Sequence, residues 1–283
     1  MKRILLPTDF SENALNAVDY AVSLFKNEKT HFYLLNTYTP VLYDSDYILY
    51  SPTSSLSIDE LYHKKSLSGL ENVKETVLKK YSNSLHTFEL ISSFSILNEE
   101  IKEQVKSKNI DLIIMGTQGV TGAAQILFGT HTVHAIRRAI CPLLAIPSTS
   151  RYINPKNILF PTDFEINYTA EHLKLLKHVA RENNSTIHIL HVDFGHPLLE
   201  EHEQAKDKLK KYFDNNIRFV SIEKNTVTEG IYEYQQENNI DLLVMISNKH
   251  SFFENMLFRP VINEIGFRVK TPFLVIPSGK YNT

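Results

Sequence analysis

Cysteine is nearly absent from this chain. Cys141 is the single one in 283 residues, which excludes an intrachain disulfide framework and a cysteine-based zinc cluster. Neither sign of charge dominates: 30 Lys and Arg face 32 Asp and Glu, a formal net charge of −2. That balance gives no electrostatic basis for binding nucleic acid or an anionic membrane. Long apolar runs are missing too, since the longest stretch free of formal charge, 112–136, carries four Gly, four Thr, two Gln and two His and is no spanning helix. The apolar opening Ile4-Leu5-Leu6 is cut short by Asp9, so no secretory peptide is expected and the expected compartment is the cytoplasm. A Walker loop needs Gly-Lys-Ser/Thr, and the sole Gly-Lys pair is Gly279-Lys280; no Gly-x-Gly occurs either, which removes the usual dinucleotide fingerprint. What remains is a chain 42% hydrophobic and 22% charged, close to ordinary globular composition and long enough for two domains.

The chain repeats itself. Ile4-Leu5-Leu6-Pro7-Thr8-Asp9-Phe10 returns as Ile158-Leu159-Phe160-Pro161-Thr162-Asp163-Phe164, 154 residues later. Asn109-Ile110-Asp111-Leu112 returns as Asn239-Ile240-Asp241-Leu242, and Pro142-Leu143-Leu144-Ala145-Ile146-Pro147 as Pro272-Phe273-Leu274-Val275-Ile276-Pro277, both at an offset of 130. The first copy is therefore longer between its first two markers, and the surplus falls near 40–57, rich in Tyr, Ser and Asp. We expect a first domain over 1–148, a polar linker over 149–156 and a second domain over 157–283. Within copy one, the short apolar runs 3–6, 31–36, 88–91, 112–115 and 143–146 lack period-2 alternation, as strands covered on both faces do. Helical spacing lies between them, for example Ala14, Ala17, Val18 and Ala21 behind Ser11 as N-cap. The expected fold is α/β: two tandem open five-stranded parallel sheets, Rossmann-like, with helices on both faces.

Ligands of such sheets bind at the carboxyl ends of the strands. After the fourth strand come Gly116-Thr117-Gln118-Gly119 and then Gly129-Thr130, a spacing of G-x2-G-x9-G-T at the start of a helix. Four of the nine glycines fall between 116 and 129. Glycine lets backbone N–H groups approach a phosphate, and a helix N-terminus adds donors. The same residues also suit a strand end, two turns and a capped helix. At the tip of the first strand, Asp9 of Pro7-Thr8-Asp9 can accept a hydrogen bond from an adenine amino group or a ribose hydroxyl, or else cap the first helix.

With these residues in view, the chain resembles a tandem universal stress protein over nearly its whole length. The resemblance implies an adenine nucleotide, ATP with Mg²⁺, with Pro7, Thr8 and Asp9 at the base and ribose and Gly116, Gly119, Gly129 and Thr130 at the phosphates. It places Met115, Thr117, His131 and Thr132 alongside, and Thr37 near the adenine edge. It also implies pairing of the two copies through their last strands as an intrachain pseudo-dimer, with a homodimer as a further option. Copy two departs from the pattern: Ile246, Lys249, Arg259 and Pro260 stand where copy one has Gly116, Gly119, Gly129 and Thr130, while Asp163 survives. One nucleotide per chain, in copy one, is expected. With no Lys or Arg near the glycines before Arg137, hydrolysis should be slow or absent, so the expectation is a regulatory module and no enzyme. The alternative is a nucleotide-independent interaction scaffold whose glycines are only turns and whose tyrosine-rich segment 38–50 meets a partner. An adenylating hydrolase lacks its Ser-Gly-Gly loop here.

Other reactive residues read as structural. His188 and His191, three apart on a strand, point to opposite faces, so no zinc site is expected. His131 and His134 share a helical face without acidic or cysteine partners, and Cys141, beside Pro142, reads as core. Lys249 and Arg259 read as a solvated pair or a different anion site.

Overall fold

The structure is a computed structural model that describes residues 1–39, 58–117, 130–166, 168–195, 197–213, 216–247 and 271–279. The segment 40–57, Gly119, Gly129, Lys249, Arg259 and Pro260 lie outside the described residues, as does most of the tyrosine-rich stretch 38–50. The chain divides into two compact units, Met1–Arg138 and Ala139–Thr283.

Unit 1 runs β1 (Lys2–Pro7), α1 (Glu12–Leu24), β2 (Thr30–Tyr38), α2 (Ile58–Tyr81), β3 (His86–Phe94), α3 (Leu97–Lys108), β4 (Leu112–Gly116) and α4 (Thr130–Arg137). Its strands are parallel in the order β3-β2-β1-β4. Helices α1 and α2 pack on one face, and α3 and α4 on the other. The runs of β1, β2 and β4, like the run 143–146, are buried as strands covered on both sides should be, Ile4, Leu5, Leu6, Phe32, Leu34 and Leu35 being inaccessible, whereas the run 88–91 is only half-buried because β3 lies at the edge of the sheet. Ser11 caps α1 as expected, its Oγ accepting from Ala14 N at 3.2 Å.

Unit 2 holds β5 (Leu143–Ile146), β6 (Asn157–Pro161), α5 (Ala170–Asn183), β7 (Thr186–Asp193), α6 (Glu200–Phe213), β8 (Ile217–Glu223), α7 (Val227–Glu237), β9 (Leu242–Ser247) and β10 (Phe273–Pro277). The strand order is β5-β10-β9-β6-β7-β8, parallel except for β5, which pairs antiparallel with β10 through Phe273 and Ala145, Leu274 and Leu144, and Val275 and Leu143. The strand that closes the first copy in sequence thus packs with the second unit.

The repeated Asn-Ile-Asp is explained by the lower rim of each sheet. Asn109 and Asn239 take left-handed backbone conformations (φ 50° and 44°), which turn the chain out of a helix. Two residues on, Asp111 accepts Arg3 N at 2.8 Å through its carboxylate and donates its own N–H to Arg3 O at 2.8 Å. Asp241 repeats both bonds with Asn157. These residues fix the register of the outer strand ends, opposite the site described next.

Candidate functional site

In unit 1 the sheet reverses its winding between β1 and β4, so the crevice above their carboxyl ends is the place for a ligand. Register pairs Ile4 with Leu112 and Leu5 with Ile113, and continued upward it sets Thr8 beside Gly116. The turn leaving β1 is built from its own side chains. Thr8 Oγ1 accepts Phe10 N at 3.0 Å, and the Asp9 carboxylate accepts Ser11 N at 3.1 Å. These bonds hold Phe10 at φ 65°, a conformation that costs a bulky residue about 1–2 kcal/mol. The Phe10 ring lies against Gly69 of α2, where an added Cβ would come within 2.5 Å of it. Neighbouring β2 completes the turn: Leu35 O accepts Thr8 N at 2.8 Å, and Asn36 Nδ2 donates to Thr8 O at 2.7 Å.

The sequence-derived residues divide accordingly. Pro7 ends β1 and is buried, Thr8 is buried, and Asp9 is exposed at the tip. The first helix is capped by Ser11, while Asp9 closes the turn before it. Thr37 is half-buried on β2, on the other side of β1 from β4. Met115 and Thr117 are buried and flank the half-buried Gly116 at the tip of β4. Thr130 is the first residue of α4; behind it His131 is exposed, and the buried Thr132 donates its hydroxyl to Gly116 O at 3.0 Å. That bond ties the start of α4 to the end of β4. Gly116 itself is required by close approach, because a Cβ there would lie 2.5 Å from Asn13 Nδ2 and 3.0 Å from Asn13 O.

Unit 2 keeps the turn and alters its surroundings. Thr162 Oγ1 accepts Phe164 N at 2.9 Å, Asp163 accepts Glu165 N at 3.1 Å, and Phe164 sits at φ 63°. His191 takes the place of Asn36, its Nδ1 donating to Thr162 O at 3.1 Å. Sequence reasoning missed Asn36 and His191 because β2 and β7 are offset by 155 residues; the signal lay in strand register. The space between β6 and β9 is filled. The N-cap of α5, Thr169, stands 158 residues after Ser11, so the helix starts one turn late relative to the 154-residue offset of the turn. The released residues place Ile166 and Tyr168 in the core beside Ile246. Only about 10 Å³ remains among them, and the Tyr168 hydroxyl bonds Thr162 Oγ1. Burial pushes the Tyr168 phenol well above its ordinary range.

The remaining candidates are structural. His188 is buried between Tyr234 OH, 2.8 Å from Nδ1, and Asn157 Oδ1, 3.2 Å from Nε2, and burial with the nearby Arg218 charge lowers its pKa. Among the described residues no three His, Cys, Asp or Glu are grouped to hold a metal ion, and no helix is long and apolar enough to cross a membrane. Cys141 is buried.

Comparison with known proteins agrees with this architecture. The model of the universal stress protein family matches residues 1–147 and 193–277. A universal stress protein of Methanocaldococcus jannaschii, MJ0531, is 31% identical over 146 residues, covering 51% of this chain and 81% of the relative. Universal stress protein YxiE of Bacillus subtilis is 26% identical over 150 residues, covering 51% of this chain and 97% of the relative. The crystal structure of a universal stress protein from Archaeoglobus fulgidus superposes on 98% of this chain and 96% of its own with a TM-score of 0.68 at 18% identity, a likeness of fold.

Proposed function

The chain belongs to the universal stress protein family, and from that premise we propose that it is a regulatory module that binds one ATP, with Mg²⁺, in unit 1 and hydrolyses it slowly or not at all. The carrying observation is the contrast between two copies of one turn. Both project a carboxylate, Asp9 or Asp163, at the tip of the first strand. In copy one the neighbouring strand tip carries Gly116, whose carbonyl Thr132 ties to the start of α4, whereas the matching strand tip in copy two carries Ile246. In copy two Ile166, Tyr168 and Ile246 occupy that space.

In this reading Pro7, Thr8 and Asp9 hold the base and ribose, with Thr37 at the base edge. Gly116, Gly119, Gly129 and Thr130 offer backbone and hydroxyl donors to the phosphates, and Met115, Thr117, His131 and Thr132 border them. No Lys or Arg lies between Met115 and Arg137, so the transferring phosphoryl group would lack the cationic help that fast hydrolysis uses. Regulation would then act through surface or assembly. The pairing of β5 with β10 supports an intrachain pseudo-dimer closed by the last strand of each copy, and a homodimer is compatible with it. Cytoplasmic residence is part of the proposal and rests on the low cysteine content.

Isothermal titration of ATP and Mg²⁺ into protein stripped of nucleotide tests the reading. We expect one site per chain, retained in Asp163→Ala and weakened about tenfold or more in Asp9→Ala, as loss of a charged hydrogen bond predicts. Two sites, or binding lost with Asp163, would refute the assignment to unit 1. A second reading, a scaffold without nucleotide, is favoured by the contact of Gly116 with Asn13, which requires glycine with no ligand present. Absence of binding by folded protein would select it.

A further inference from the structure

Unit 2 carries a cavity of about 380 Å³ beside its filled strand tips, and we infer that it is a binding site for a small aromatic amine cation, not for a nucleotide. The inference concerns a different unit from the ATP reading and stands or falls independently of it. The volume lies within the range of small-molecule sites. Phe194 and Leu198 between β7 and α6, with Val227 at the start of α7, give it apolar surface that suits a flat ring, and the buried Leu190 and Val192 back that wall.

The polar lining decides the charge. Asp163, Glu165 and Asp193 border the cavity, and no Lys or Arg is among the described residues lining it. Strand register and the repeated turn show how this arose. Asp163 corresponds to Asp9, but Glu165 stands where unit 1 has Ser11, and Asp193 where it has Tyr38. One carboxylate has become three. Asp163 and Asp193 each accept a backbone N–H, from Glu165 and Gly195, which holds the carboxylates in place. His191 adds an acceptor, because its Nδ1 proton is committed to Thr162 O, leaving Nε2 as the acceptor nitrogen in the neutral ring. His202 supplies one donor, since its Nδ1 accepts Leu199 N at 3.3 Å and Nε2 then carries the proton. A phosphate would meet three like charges here. A protonated amine on a ring would meet acceptors and an apolar wall. A bare metal ion is a poorer occupant, because these acidic and imidazole groups are not clustered for ligation.

Three indole compounds of equal ring and different charge test the inference on the full chain: tryptamine (cation), tryptophol (neutral) and indole-3-acetate (anion). Saturation-transfer NMR and calorimetric titration should show tryptamine bound, tryptophol about tenfold weaker, as two or three partly exposed charge pairs imply, and indole-3-acetate weaker again. The charge-only variant Glu165→Gln/Asp193→Asn should bring tryptamine to the level of tryptophol. Leu198→Trp, at a half-buried loop position, should fill the cavity and abolish binding of all three while leaving circular dichroism and ATP titration unchanged. No tryptamine binding up to millimolar concentration, equal or stronger binding of the anion, or tryptamine binding retained in Leu198→Trp would overturn it. Failure of the ATP reading would appear instead as absence of ATP binding with the indole order intact.

Discussion

Replacing Gly116 by alanine separates two reasons for a glycine at the tip of β4. An added Cβ would lie 2.5 Å from Asn13 Nδ2, 2.8 Å from its Cγ and 3.0 Å from its backbone oxygen. Ordinary contacts begin near 3.5 Å, so the methyl group is about 0.5–1 Å too close to three atoms at once. Asn13 is buried on α1, and the backbone oxygen moves only if the helix moves. The expected cost is that of overpacking, about 2 kcal/mol, or roughly 4–8 °C in the melting temperature of a domain this size. Calorimetry of Gly116→Ala, Asn13→Ala and the double variant checks the mechanism. Removing the Asn13 side chain relieves two of the three contacts, so the double variant should lose about 1 kcal/mol less than the sum of the singles. ATP affinity should follow stability, falling in Gly116→Ala and recovering in part in the double variant. A neutral Gly116→Ala, or strict additivity with Asn13→Ala, would refute the packing argument.

Further expectations concern groups outside the glycine cluster. Asn36→Leu should destabilise unit 1 by about 1–3 kcal/mol in urea unfolding, because Thr8 O loses its buried donor; a change below 0.5 kcal/mol would remove Asn36 from the turn. Tyr168→Phe should cost about 1 kcal/mol, and alkaline spectrophotometric titration should show one tyrosine fewer ionising only on unfolding. His188 makes stability depend on pH below neutrality. The unfolded ring takes up a proton as pH falls through about 6.5, whereas the folded ring, its pKa lowered first by burial and then by Arg218, does so only at lower pH. The unfolded state therefore binds more protons in that interval, and stability falls as pH drops below about 6.5. His188→Gln should flatten the melting temperature between pH 6.5 and 5; an unchanged slope would show that other groups set it.

The fold was legible because its strands are built around short apolar runs and because the repeat doubles every signal. The five strand expectations of copy one fall inside β1 to β5, and Ser11 caps α1 as its spacing implies. The positive φ shared by Phe10 and Phe164 was not legible, since nothing in a Pro-Thr-Asp-Phe string says that two side-chain acceptors will pull an aromatic residue into the left-handed region. Nor was the clamp from Asn36 and His191 visible. A one-residue drift in the offset hides their equivalence, and they differ in type while making the same bond to a carbonyl. The pairing of β5 with β10 was implied by the family resemblance alone, since the apolar pattern of a strand does not encode its partner.

The divergence of the two sites has a common cause that alignment of motifs alone misses. Substitution of three glycines suggests a site lost by crowding, residue by residue. The structure ties at least one of them to a helix boundary. In unit 1, Ser11 starts α1 directly after the turn, and Asn13 then presses on the tip of β4, so position 116 has room for glycine alone. In unit 2 the helix starts at Thr169, one turn later, and position 246 is freed for isoleucine. The four residues no longer in the helix bring Tyr168 into the vacated space, where Thr162 binds its hydroxyl. Loss of the glycine is then a consequence of where a cap fell, and the carboxylates Glu165 and Asp193 beside it belong to a second change, in which Ser11 and Tyr38 of unit 1 are replaced by acidic residues. A chain that restores the early cap in unit 2 should therefore exclude Ile246 and require glycine at that position.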